Sequence, residues 1–231
     1  LIFNSTRLKG SNYPMIEKGL EFTLQEIQDS KETIIGRVVT DSNTYEEQEI
    51  SDSINNFLSS LPAKYKIETC DLTDVLSSVR ELQEVIYHKS LSYYFSEERA
   101  SGTEYSSFMK SIFAEGDEIT SEQYIESIYK LEDLRSLIVA TLSKFHLLLS
   151  PTTSSIAPLR GQIETIDSSL YWTMLHLPLV SLPLFRDKKL GMPFGLQIVG
   201  TKKYSEQYIF EFIKDLDLTD LEIDRPNNLI I

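Results

Sequence analysis

Cysteine is almost missing from this chain: Cys70 is the only one among 231 residues. An internal disulfide is thereby excluded, as is any zinc site built on cysteine thiolates, and the usage fits a reducing compartment, with the cytoplasm as the default. Basic side chains are also scarce, 22 against 35 acidic ones, for a formal net charge of −13. Such a surface repels phosphate backbones, so no nucleic-acid partner is expected. Long apolar runs are missing too. The most apolar stretch, Leu175 to Phe185, is interrupted by Pro178 and Pro183. It falls short of the roughly 20 residues that a membrane-spanning helix needs, so no membrane partner is expected. The start offers neither an initiator methionine nor an apolar run of signal-peptide length, and Leu1 reads as a cut site. The three histidines, His88, His146 and His176, include no pair at i, i+3 or i+4 and have no carboxylates at ligand spacing, so neither a metal nor a cofactor is expected.

What is present is enough for a core, at 41% hydrophobic residues. Ile34 to Thr40 is a β-branched, apolar run that reads as a buried strand. Thr44 and Glu47 have capping-box spacing ahead of Ile50, Ile54, Phe57, Leu58 and Leu61, which recur at helical intervals until Pro62. Tyr65 to Thr69 alternates as a second strand, and Val75, Val79, Leu82 and Ile86 mark one face of a helix starting near Thr73. A short helix is expected over Glu104 to Phe113. Thr120 and Gln123 repeat the capping-box spacing, and Tyr124, Ile128, Leu131, Leu134, Ile138, Leu142 and Phe145 trace the longest amphipathic helix. His146 to Ser150 reads as a buried strand ended by Pro151. Leu179 to Phe185, a polar turn over Arg186 to Lys189, and Phe194 to Val199 read as a hairpin, followed by a closing helix capped by Ser205 and carrying Tyr208, Ile209, Phe212, Ile213 and Leu216. Gly191, Gly195 and Gly200 punctuate the hairpin and predict a close backbone approach. The rhythm is that of an α/β fold, a mixed β-sheet flanked by helices, in one domain over residues 1–231 with residues 1–33 as an extended or partly helical lead-in.

Three motifs stand in order near the end of the chain. Leu148-Leu149-Ser150-Pro151-Thr152 is followed by Ala157-Pro158, then by Leu177-Pro178-Leu179-Val180-Ser181-Leu182-Pro183, then by Gly191-Met192-Pro193-Phe194-Gly195-Leu196-Gln197-Ile198-Val199-Gly200. They resemble, respectively, the D-x-x-L-x-P-T segment with its A-P, the G-x-P-x-x-S-x-P strand and the G-L-P-x-G-x-Q-x-x-G element of amidase signature enzymes. The resemblance implies the C-terminal portion of that fold, with Pro151, Thr152, Pro178, Gly191, Pro193, Gly195, Gln197 and Gly200 as structural motif positions.

It also implies chemistry in which a serine attacks an amide carbonyl while a bridging serine and a lysine relay its proton, since a serine hydroxyl is a weak nucleophile until a base takes that proton. The segment carrying those three groups has no counterpart here. The nine glycines are never adjacent, so no G-S-S-G-G-S stretch exists. No catalytic residue is therefore assigned within this chain. The expected partner is the N-terminal half of the same protein, or a subunit supplying it, with a small amide as substrate. The alternative is a non-catalytic homologue acting as a binding module. The candidate substrate-binding residues are Trp172, Thr173 and His176. Trp172 either walls a pocket or fills the core. Thr173 stands where the family commonly has asparagine. His146 replaces the aspartate and His176 the glycine of the pattern, and an imidazole in place of that glycine is expected to narrow a pocket. Ser154 and Ser155 read as turn residues rather than nucleophiles. Glu46-Glu47 and Glu97-Glu98 read as solvated faces.

A chain holding part of such a fold leaves apolar surface uncovered, which promotes association. Sizing chromatography should therefore return a species larger than the monomer.

Overall fold

The first described strand, Thr33–Val39 (β1), sits between two parallel neighbours, a place that suits the buried strand expected from its β-branched run. The computed structural model describes residues 32–162, 169–201, 206–216 and 218. The expected lead-in up to residue 31 and the Ser205 cap lie outside them. After β1 come Gln48–Ser60 (α1), Tyr65–Asp71 (β2), Thr73–Leu76 (α2), Val79–Tyr94 (α3), Ser96–Ala100 (α4), Ser107–Glu118 (α5) and Ser121–Thr141 (α6). Leu147–Pro151 (β3), Ser169–Leu175 (α7), Leu179–Arg186 (β4), Pro193–Gly200 (β5) and Glu206–Asp215 (α8) complete the order. The five strands form one mixed sheet, β2-β1-β3-β5-β4, in which β1 runs parallel to β2 and β3 while β5 is antiparallel to both β3 and β4.

The sheet is covered on both faces, and β3 shows why it lies at the centre. Leu147 and Leu149 enter one core with Ile35, Ile50, Ile54, Leu196, Ile198 and Phe212, while Leu148 points into the other with Val38, Ile138, Leu142, Trp172 and Val199. This is the two-residue period of a strand, with both sets apolar. Cys70 is buried in the second of these cores, and burial pushes its thiol up to about 11, which makes it a packing residue and a poor nucleophile.

Several boundaries differ from the sequence expectation for local reasons. Helix α1 is not opened by a Thr44–Glu47 capping box. Thr40 N donates to Asn43 Oδ1 at 2.7 Å and sets up a 3-10 turn over Asp41–Tyr45. Glu47 then becomes the N-cap, with its own N–H donated to Ser154 O at 2.8 Å. The amide that the box would have satisfied is already taken. The helix expected over Glu104 to Phe113 lies three to five residues later, as α5. Ser106 caps it by accepting from Met109 N at 3.3 Å. The helix continues through Gly116, where a side chain would strike the backbone carbonyl of His88 on α3. The glycine here is the contact point of two helices rather than a helix end. The long helix begins where the capping box predicts, with Gln123 N donating to Thr120 Oγ1 at 3.1 Å and Thr120 N donating to Gln123 Oε1 at 2.8 Å. No described helix is long and apolar enough to cross a membrane.

Glu46 is a further correction. Its side chain is 4% exposed and pairs with Arg37 at 3.0 Å, so it is a buried ion-pair partner and not part of a solvated face. Asn43 Nδ2 donates to its other oxygen. A buried carboxylate needs such full pairing to be tolerated.

The α3–α5 pair is latched at one end by Asp117, which accepts from Arg99 and from the Ser92 hydroxyl. The Arg99 guanidinium and then the Ser92 hydroxyl hold the Asp117 carboxyl down at about 2. A carboxyl with a folded-state pKa below its unfolded value adds stability above about pH 4, and that contribution is lost as pH falls toward 2. Urea midpoints measured across that window should therefore fall less steeply for Asp117→Asn than for the unaltered chain.

Candidate substrate cleft

The parallel strands β1 and β3 both end at the same edge of the sheet, where loops leave their carboxyl ends, the usual place for a ligand site in such sheets. The β3 loop runs from Thr152 to Pro158 and forms one wall of a cleft of about 470 Å³. Ser181, Leu182 and Pro183 from β4 and Pro193, Phe194 and Gly195 from β5 form the rest of its described lining. All three sequence motifs thus contribute to one cavity, although they lie well apart along the chain.

Register explains the convergence. Pro151 lies opposite Leu196 on β5, and Leu196 lies opposite Leu182 on β4. One step on, Thr152 N donates to Gly195 O at 2.9 Å. The β4–β5 register then shifts, because Phe185 pairs with Phe194, leaving Pro183 and Leu184 opposite Gly195 alone. The extra residue is a bulge, which suits a proline that has no N–H to give the ladder. At Gly195 a side chain would come within 2.7 Å of Thr152 Oγ1 and 2.8 Å of Leu182 O. The close approach predicted for this glycine is therefore real, and it draws three strands together beneath the cleft.

The other motif positions hold this edge in place. Ser150 and Gln197, both buried, face each other across β3 and β5, with Ser150 Oγ donating to Gln197 Oε1 at 3.3 Å. Gly191 closes the hairpin turn at φ 65°, with its N–H donated to Asp187 O at 2.9 Å. Gly200 N donates to Pro178 O at 2.8 Å, joining the two motifs at their far ends. The wall loop is tied down from behind: Ser154 is buried and its Oγ donates to Ser42 O at 3.3 Å, while Ser155 Oγ donates to Ile156 O at 3.1 Å. Both serines are turn residues. The Arg37–Glu46 pair and the Glu47–Ser154 backbone bond brace the same loop. Sequence reasoning missed this support because Arg37 lies inside an apolar strand and Glu46 inside an acidic run.

Trp172, Thr173 and His176 are not brought into the cleft lining. Trp172, on α7, is fully buried in the core, and its Nε1 has no hydrogen-bond partner among the described residues. Its neighbour Tyr171 is buried beside it, donates to Asp41 and is pushed up to about 12 by burial and then by that carboxylate. Thr173 is exposed and donates to Ser169 O at 3.1 Å within the helix.

His176 occupies a backbone position with its own requirement. Its φ is 54°, its N–H is donated to Thr173 O at 3.2 Å, and Leu177 N is donated to Trp172 O at 3.2 Å. Those two bonds form a Schellman ending for α7, with His176 at the left-handed position that glycine usually fills. The imidazole is exposed, with Nε2 2.9 Å from Arg135, whose guanidinium also donates twice to Met174 O. His176 thus meets a need for positive φ, and it is not among the residues that line the cleft. His146 has a similar explanation: its Nδ1 accepts from Ile34 N at 3.0 Å while its own N–H goes to Ile34 O at 2.9 Å. A carboxylate would accept the same bond, so imidazole can stand in for aspartate here.

No family model matches the sequence and no curated protein matches it. Solved structures match the fold. The chain aligns with an amidase at a TM-score of 0.65 and 21% identity, over 78% of this chain and 44% of that one. It aligns with a Kluyveromyces lactis allophanate hydrolase at 0.67 and 16%, over 81% and 32%. With a bacterial aryl acylamidase of the amidase signature family the values are 0.57 and 17%, over 78% and 42%. The chain spans less than half the length of these proteins, and its mixed sheet flanked by helices is part of the fold they share.

A non-glycine residue in the left-handed region costs about 1 kcal/mol. His176→Gly should accordingly raise the thermal midpoint, and His176→Val should lower it, as followed by circular dichroism.

Proposed function

We propose that this chain supplies one wall of the substrate cleft, and the sheet beneath it, for an amide-hydrolysing enzyme. The nucleophilic serine, bridging serine and lysine of that enzyme are carried by polypeptide outside this sequence, either the N-terminal half of the same protein or a subunit. The observation that carries this reading is the meeting of the three motifs at one cleft, at the end of the sheet where β1 and β3 deliver their loops. The fold shared with amidase signature hydrolases supports it. Within the chain, two hydroxyls of the cleft wall are engaged with backbone: Thr153 Oγ1 donates to Ser155 O at 2.8 Å and Ser155 Oγ to Ile156 O. A hydroxyl whose proton is held by a backbone carbonyl is not passing it to a base, so neither Thr153 nor Ser155 is placed to attack a substrate.

The alternative, a non-catalytic binding module, would draw on the departures from the family pattern at His146, Thr173 and His176. Two of these satisfy backbone geometry away from the cleft and the third is bonded within its own helix. They give that alternative no support.

Co-expression with the polypeptide encoded immediately upstream tests the proposal. Amide hydrolysis should appear only in the combination, and a fluorophosphonate should label a serine of the added segment and none in this chain. In the active combination Ser181→Trp, which places a large side chain on the exposed wall of the cleft, should raise KM at least tenfold with little change in thermal midpoint. Hydrolysis by this chain alone, or an active combination indifferent to Ser181→Trp, would overturn it.

A further inference from the structure

We infer that the cleft receives an uncharged, apolar portion of the ligand, an alkyl or aryl group attached to the amide, and that Thr152 offers it carbon rather than its hydroxyl. The inference rests on the reading of the cleft as a substrate wall and specifies what that wall accepts.

The described lining carries no ionisable side chain; its bulk comes from Ile156, Leu182, Pro183 and Phe194. The Phe194 ring is backed by Phe185, with centroids 5.2 Å apart, so the aromatic surface is held in place. The hydroxyls of Thr153 and Ser155 donate to neighbouring backbone carbonyls, so their protons are not offered to a ligand, and Ser181, exposed on β4, adds a hydroxyl to an otherwise mainly apolar wall.

Thr152 is the most informative residue. It lines the cleft and is half-buried, yet its Oγ1 is shut away from solvent with no hydrogen-bond partner among the described residues. The surface it does present therefore belongs to its other atoms. A hydroxyl buried without a partner is disfavoured, because it loses the hydrogen bonds that water would give it. The arrangement nonetheless faces Oγ1 toward Gly195, whose lack of a side chain leaves room for it. A wall built this way suits a ligand that has nothing polar to offer at that point.

The test uses the 231-residue chain and measures binding of acetamide, hexanamide and hexanoate by two-dimensional NMR, reading backbone amide shifts at Leu182 and Phe194. Each buried methylene is worth about fourfold in affinity, so hexanamide should bind at least tenfold more tightly than acetamide. It should also bind at least tenfold more tightly than hexanoate, whose charge has no partner in the described wall. Thr152→Val, which replaces the hydroxyl with a methyl of similar size, should raise the thermal midpoint and change hexanamide affinity by less than twofold. A tenfold loss of affinity in Thr152→Val would show the hydroxyl to be the ligand's anchor. Equal binding of acetamide and hexanamide would show that the apolar wall is not used. Either result overturns this inference and leaves the cleft reading standing. If no amide shifts the cleft resonances, the cleft reading falls with it.

Discussion

The structure depends on one strand being buried on both faces and paired on both sides. Leu147 to Ser150 of β3 are each 1% exposed or less. The strand joins two kinds of ladder, parallel to β1 and antiparallel to β5. Every apolar side chain on one face commits the helices α1 and α8 to that side, and those on the other commit α6 and α7. Slipping β3 by one residue would exchange the two cores, so its register is fixed by packing on both faces at once. The cleft inherits that precision, since its wall loop begins at the residue after the strand.

Both histidine departures from the family pattern concern this same frame. His146 stands at the entrance to β3 and completes the pairing with Ile34 through its ring as well as its backbone. His176 ends α7 just before β4 in the conformation a glycine would take. In each case the backbone's demand is met by a different side chain, and the substitution says little about catalysis. A motif letter records what a position usually holds; here the hydrogen bond and the dihedral angle show what the position needs.

Much of the architecture was legible because its signals were strong and local. β-Branched and apolar runs marked β1 and β3, the alternation with a polar turn marked the hairpin, and the Thr120 capping box fixed the start of α6 to the residue. What was not legible depended on distant partners. The Thr44–Glu47 spacing failed as a cap because Ser154, far along the chain, accepts the amide it would have satisfied. Helix α7 went unread since its single short stretch is too brief for a helical period to declare itself. Of the candidate site, the motif positions Thr152, Pro193 and Gly195 do meet at the cleft, whereas Trp172, Thr173 and His176 do not line it. Their proximity in sequence to the β4 motif suggested a place beside it, but Trp172 is drawn into the core while Thr173 and His176 serve the helix and its ending.

The burial of Trp172 has a practical reach. It is the chain's one tryptophan, and it sits fully enclosed in the core that holds Tyr171, Leu175, Leu148 and Val199. An indole in such surroundings emits at short wavelength and shifts to the red only when water reaches it. The molecule thus carries its single tryptophan on the face of the sheet away from the Phe194 core. Its emission, excited apart from the tyrosines, follows the opening of that face.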